Sequence, residues 1–117
     1  MAARYINKVV TIEAGESLSN VVDCSMGAPI AIYMPEDWTS ACISFRVSPD
    51  STNFGDLFDS NANEIAYNIL AGTALILKSE WTPIMYLRIR SGGRDAPVVQ
   101  ELTQRITVTI DSAPAAA

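Results

Sequence analysis

Carboxylates are the residues with which this chain could do chemistry. Asp50, Asp56, Asp59 and Glu64 fall in one polar, Gly-containing stretch. Oxygen ligands in such a loop suit a hard cation such as Ca²⁺. Two carboxyls across a cleft could serve glycoside hydrolysis. Neither pattern is met. Thr52 and Phe54 stand where an EF-hand loop wants oxygen-rich Asp or Asn, and a polar loop supplies no apolar cleft to hold one carboxyl neutral. The expectation is a solvated loop, with no metal and no cofactor.

The sequence holds no histidine. That removes the commonest general base and the commonest transition-metal ligand. It also forbids a Ser–His–Asp or Cys–His arrangement within one chain. No Walker loop, dinucleotide fingerprint or Cys-x-x-Cys occurs. No catalytic residue is expected, and the chain is not read as an enzyme. Cys24 and Cys42 match no zinc spacing and are too few for a disulfide framework; whether they pair stays open.

Three groups remain. Trp38 and Trp81 lie at corners between strands, where exposed indoles could stack on sugars. The favoured reading is that each caps one end of a core, its N–H reaching a backbone carbonyl. Arg88, Arg90, Arg94 and Arg105 form a basic group. Arg88 and Arg90 share the outward face of one strand, where like charges repel unless carboxylates answer them. Those carboxylates are either internal, such as Glu101 or Asp95, or belong to a partner. Eight Lys and Arg against thirteen Asp and Glu give a net charge of −5. That balance argues against duplex nucleic acid, which needs clustered cations.

The elements that must position these residues are strands. Ala41, Ile43, Phe45 and Val47 alternate with Cys42, Ser44, Arg46 and Ser48, the period of a half-buried strand. Ile30–Met34 precedes it across the corner Pro35-Glu36-Asp37-Trp38. Lys8–Ile12, Leu18–Val22, Glu64–Leu70, Met85–Arg90 and Gln104–Asp111 read as further strands. Ala74–Leu77, apolar on both faces, suits a strand covered on both sides. Pro49–Gly55 is the strongest loop signal, Ser91–Gly93 should end a strand, and Ala96–Thr103 could hold one helical turn. About eight short strands in a single domain make an all-β sandwich or barrel. Residues 1–7 are expected to be an N-terminal arm, 8–111 the domain and 112–117 a flexible small-residue tail. No signal peptide is apparent, and no apolar run approaches the ~18 residues of a membrane span.

Four pieces carry a resemblance: Met34-Pro-Glu-Asp-Trp-Thr-Ser-Ala-Cys-Ile-Ser-Phe-Arg-Val-Ser48, Asp50-Ser-Thr-Asn-Phe-Gly-Asp-Leu-Phe-Asp59, Tyr86-Leu-Arg-Ile-Arg-Ser-Gly92 and Val99-Gln-Glu-Leu-Thr-Gln-Arg-Ile106. In this order they resemble small tailed-phage virion proteins of the capsid decoration (cement) or head-spike base type. Gly93-Arg94-Asp95 departs from that pattern, which has Thr and a Pro-containing loop there. The resemblance implies a jelly-roll-like β-sandwich on the outer surface of a phage capsid. It implies binding to the major capsid protein and to further copies of itself, as a trimer, without nucleic acid or membrane. The partner-binding candidates are Met1, Ala2, Ala3, Arg4 and Tyr5 of the arm, with Arg88, Arg90 and Arg94. A second reading is a carbohydrate-binding module, or the base of a head spike or fibre, using Trp38 or Trp81 with Asp50 or Asp56.

Overall fold

The computed structural model describes residues 4–78, 81 and 83–113. Ten β-strands follow in order: β1 (Tyr5–Ile12), β2 (Val22–Asp23), β3 (Ala28–Tyr33), β4 (Ile43–Ser48), β5 (Gly55–Asp56), β6 (Ala66–Tyr67), β7 (Ala74–Ile76), β8 (Tyr86–Gly93), β9 (Ala96–Pro97) and β10 (Gln104–Asp111). One sheet runs β1-β10-β3-β7. The other runs β2-β8-β4-β5, with β6 also on β4 and β9 on β8. All pairings are antiparallel.

The strand order is that of a jelly roll. β5 and β6 both pair with β4, at Arg46–Val47 and at Ile43–Ser44 respectively. They are two halves of one strand, interrupted by an excursion that Ile65 closes by donating its N–H to the Leu57 carbonyl. Counting them once, and treating β9 as a side branch of β8, leaves eight strands. In chain order these make sheets 1-8-3-6 and 2-7-4-5, the interleaving of a double-sheet jelly roll.

Period-two patterning explains the core. β4 sends Ile43 and Phe45 inward, β8 sends Leu87 and Ile89, and β10 sends Ile106, Val108 and Ile110, all fully buried. Phe45 packs edge-on against Trp81, ring centroids 4.8 Å apart, and against Tyr67 at 6.1 Å. The Pro35–Trp38 corner is bolted down by two buried glutamines. Gln100 accepts the Thr39 N–H through Oε1 and donates Nε2 to the Thr39 carbonyl, while Gln104 donates Nε2 to the Asp37 carbonyl. Buried side-chain amides need such partners; Gln100 has them at both ends of its amide, while Gln104 Oε1 finds no donor among the described residues.

Several expectations need correction. β1 opens at Tyr5, not Lys8: Tyr5, Ile6 and Asn7 pair with Asp111, Ile110 and Thr109. Those residues are therefore sheet rather than arm, and Met1–Ala3 lie outside the described residues. Ser112, assigned to the tail, donates both its N–H and its hydroxyl to the Arg4 carbonyl, so the two ends clasp. The Leu18–Val22 strand is broken because Ser19 Oγ takes the Ile89 N–H that a backbone carbonyl would otherwise accept. Ordered pairing resumes at Val22–Asp23. β7 is covered on one face only. It is an edge strand, and Ile76 is 85% exposed.

Ala96–Thr103 contains no helical turn. It opens with β9, which pairs with Gly92 and Gly93 and carries β8 past its expected end. Gly92 makes this possible, with φ at +87° and no room for a side chain. A Cβ there would run into the Ala96 carbonyl oxygen and sit 2.7 Å from the Val98 nitrogen. Gly92→Ala is expected to lower unfolding free energy by about 2–3 kcal/mol, from strain plus backbone clash. Urea denaturation checks it; an unchanged midpoint would place the β8–β9 junction elsewhere.

Candidate functional site: the arginine face of the larger sheet

The outward faces of β4 and β8 are built from arginine and serine. Their register sets Ser44 opposite Arg90 and Arg46 opposite Arg88, while Asp56 of β5 lies opposite Arg46. This face is not wet throughout. Ser44 and Ser48 are buried, and the Arg90 side chain is only 10% exposed. The excursion between Leu57 and Ala66, together with Arg94, covers it.

Arg90 is the hub. Nε donates to Ser44 Oγ at 2.8 Å, Nη1 to Asp56 Oδ1 at 2.8 Å and Nη2 to Glu64 Oε2 at 3.1 Å. Ser44 in turn donates to the Gly92 carbonyl at 2.7 Å. Arg94 closes the ring from outside, with Nε on Asp56 Oδ2 and its backbone N–H on Glu64 Oε2. The Arg90 hydrogen bond, ahead of its charge and that of Arg46, holds the Asp56 carboxyl below the usual carboxylate range. Partnering of this kind is what makes a desolvated guanidinium tolerable.

Arg46 and Arg88 are held differently. Arg46 Nη2 donates to the Phe54 carbonyl at 2.8 Å, and its Nε stands 3.6 Å from Asp56 Oδ1. Arg88 Nε donates to the Ser19 carbonyl at 2.8 Å, and its guanidinium lies over the Phe54 ring, 5.7 Å from the centroid. Among the described residues Arg88 has no carboxylate partner.

The expected site residues separate. Arg90, a partner-binding candidate, is an internal structural residue, and its carboxylates are Asp56 and Glu64 rather than Glu101 or Asp95. Arg94 is half exposed but engaged with the same pair, over the Phe58 ring. Arg4 forms a two-pronged pair with Asp111, at 2.9 and 3.0 Å, and stacks on Tyr5. Arg105 is exposed on the other sheet, away from this face.

Asp50 and Asp59 serve turns. Asp50 Oδ1 accepts the N–H groups of Thr52 and Asn53, which hold its carboxyl well below the ordinary value, and Asp59 Oδ1 accepts those of Asn61 and Asn63. Both tryptophans are buried, so neither indole is open to stack on a sugar. Trp38 Nε1 donates to the Ala41 carbonyl at 3.2 Å, as expected; Trp81 Nε1 finds no acceptor among the described residues. Trp81 instead floors an apolar depression of about 280 Å³, walled by Leu57, Ile65, Pro83 and Ile84.

Cys24 and Cys42 are unbonded. Burial pushes the Cys24 thiol up to about 12. Arg46, Gln100 and Gln104 were not singled out from the sequence. Arg46 had a signal, its outward parity with Ser44 in β4; the glutamines had none beyond their place in the Val99–Ile106 piece that carries the resemblance.

No protein-family model matches the chain, and no curated protein matches it significantly.

Two outcomes follow from this geometry. Asp56→Asn removes one of two carboxylates from a buried guanidinium and should cost about 2 kcal/mol at pH 7, the second carboxylate limiting the damage. Because the folded pKa of Asp56 is depressed, its contribution is complete above the unfolded value near ~4 and is lost as pH falls through the folded value. The gap between wild type and variant should therefore narrow in acid, which urea midpoints at neutral and acid pH would read. A gap independent of pH would contradict the assignment. A maleimide should label Cys42 in the native protein but Cys24 only after unfolding, as intact mass would show.

Proposed function

We propose that the protein is a capsid decoration protein. It binds the outer surface of a phage head as a homo-oligomer, a trimer, contacts the major capsid protein and stabilises the shell. The motif resemblance motivates this reading, and the jelly-roll strand order is compatible with it, since that architecture recurs in viral capsid domains as well as in lectins. Fold alone does not assign function.

The observation that carries the reading is the middle of the outer face of the four-stranded sheet. Register aligns two rows across it: Asn7, Thr109, Ala31 and Ile76, then Val9, Thr107, Tyr33 and Ala74. Neither row contains an Asp, Glu, Lys or Arg. Val9 and Tyr33 are about half exposed, and Ile76 more so. A chain of net charge −5 repels its own copies wherever acids face each other. It can meet itself most readily across these two central rows, which have apolar side chains to bury and lie between Arg105 at one end of the face and the Arg4–Asp111 pair at the other. Threefold and quasi-threefold positions on a head would then favour a trimer. Individually weak shell contacts, repeated around that axis, add through effective concentration.

Sedimentation velocity of the purified protein should show a trimer. Co-sedimentation with heads lacking the protein should show saturable binding. Ile76→Glu combined with Tyr33→Lys should yield a monomer of unchanged melting temperature whose head binding falls about 100-fold. A wild-type monomer that does not co-sediment with heads would overturn the reading.

A further inference from the structure

We propose that Arg46 and Arg88, flanking Phe54, form a docking site for carboxylate side chains of an acidic segment on a protein partner. The inference rests on the reading above, that the protein's work is to hold a partner, and names the chemistry of one contact.

Ion pairs on this face are unevenly shared. Asp56 and Glu64 take Arg90 and Arg94, while Glu13 and Glu16 share a cleft with Arg88 without pairing with it. Asp56 gives Oδ1 to Arg90 and Oδ2 to Arg94, and Glu64 gives Oε2 to the Arg90 guanidinium and the Arg94 backbone N–H, so neither carboxylate serves Arg88. Arg46 comes third on Asp56, at the longest separation. Arg46 and Arg88 are therefore the under-neutralised pair, and they sit directly opposite each other across β4 and β8. Like charges at such positions destabilise a sheet. An arriving carboxylate would relieve that repulsion as well as adding its own bonds.

The pair is also held in place before anything binds. Neutral groups fix both guanidinium ions: the Phe54 carbonyl and ring, and the Ser19 carbonyl. Arg88 keeps both Nη groups uncommitted, a planar fork that matches a carboxylate, and Arg46 adds its Nη1, its Nε being buried beside Asp56. Little side-chain freedom is left to lose on docking.

Carboxylate is favoured over phosphate by the surroundings. Asp56 borders the pair on one side. On the other, Arg88 closes a cleft of about 330 Å³ that also contains Glu13 and Glu16. Neither glutamate forms an ion pair with Arg88. A singly charged group fits between these acids, whereas a doubly charged phosphate or a polyphosphate backbone meets more repulsion.

The test is a titration of the ¹⁵N-labelled full chain with capped hexaglutamate, followed at the arginine Nε–H resonances. The Arg46 and Arg88 signals should move and saturate; capped hexaglutamine should move neither. Raising salt from about 50 to about 300 mM should weaken the effect several-fold. Arg88→Gln and Arg46→Gln should each weaken binding about ten-fold, while Arg105→Gln leaves it unchanged. Should Arg88→Gln not fold, the wild-type titration and Arg46→Gln still decide. The proposal is overturned by the absence of a saturable shift at millimolar peptide, by an equal loss in Arg105→Gln, or by inorganic phosphate saturating the same signals at lower concentration. The sedimentation assays above are read independently. Failure here with trimers and head binding intact would sink only this contact.

Discussion

A guanidinium removed from water, on the outside of a sheet, is the constraint around which this molecule is arranged. Arg90 cannot be left on a covered face without acceptors, because a buried, unpaired charge costs several kcal/mol. Its three directions are answered by three parts of the chain: Ser44 on the neighbouring strand, Asp56 on the next, and Glu64 at the end of the excursion. Answering it draws that excursion back over the sheet. The larger sheet thus gains a polar covering on its outer side, built from turns that Asp50 and Asp59 shape locally and that Arg90 and Arg94 fasten.

The apolar core takes a different route to the same end. Alternation alone places Ile43, Phe45, Leu87, Ile89, Ile106, Val108 and Ile110 between the sheets. It does not fix the corner connecting β3 to β4. That role falls to Gln100 and Gln104, whose amides reach the Thr39 and Asp37 backbone from the segment leading into β10. Gln100 also donates to Ser91 Oγ, which ties the corner to β8 beside the Gly92 bend. The bend, the corner and the last strand are one connected unit, and Gly92 must lack a side chain for the unit to close.

This division explains what the sequence could and could not disclose. A strand announces itself when one face is apolar, so β3, β4, β8 and β10 were legible, as was the Pro49–Gly55 turn with its Asx chemistry. Alternation reports which side chains avoid water; it does not report whether the polar side is wet. Alternation therefore leaves open whether Arg90 answers to internal carboxylates or to a partner. The true partners, Asp56 and Glu64, are 34 and 26 residues away. Only the chain reversals through β5, β6 and β7 bring them near, and no local pattern encodes that. β7 failed in the opposite sense. Its apolar residues suggested cover on both faces, but an edge strand in a two-layer sandwich has no third layer to meet.

The two outer faces are therefore unlike, and the difference bears on what the molecule can do. The larger sheet commits Asp56 and Glu64 to Arg90 and Arg94 and leaves Arg46 and Arg88 without a hydrogen-bonded carboxylate. The smaller sheet carries uncharged rows with Val9, Tyr33 and Ile76 standing in water. Uncharged rows suit contact with an identical copy, where any net charge would repel itself. Two guanidinium ions without a hydrogen-bonded carboxylate suit a dissimilar, acidic partner and repel a copy presenting the same arginines. Opposite faces so distinguished would keep the proposed contact with a second copy and the proposed contact with an acidic partner from competing.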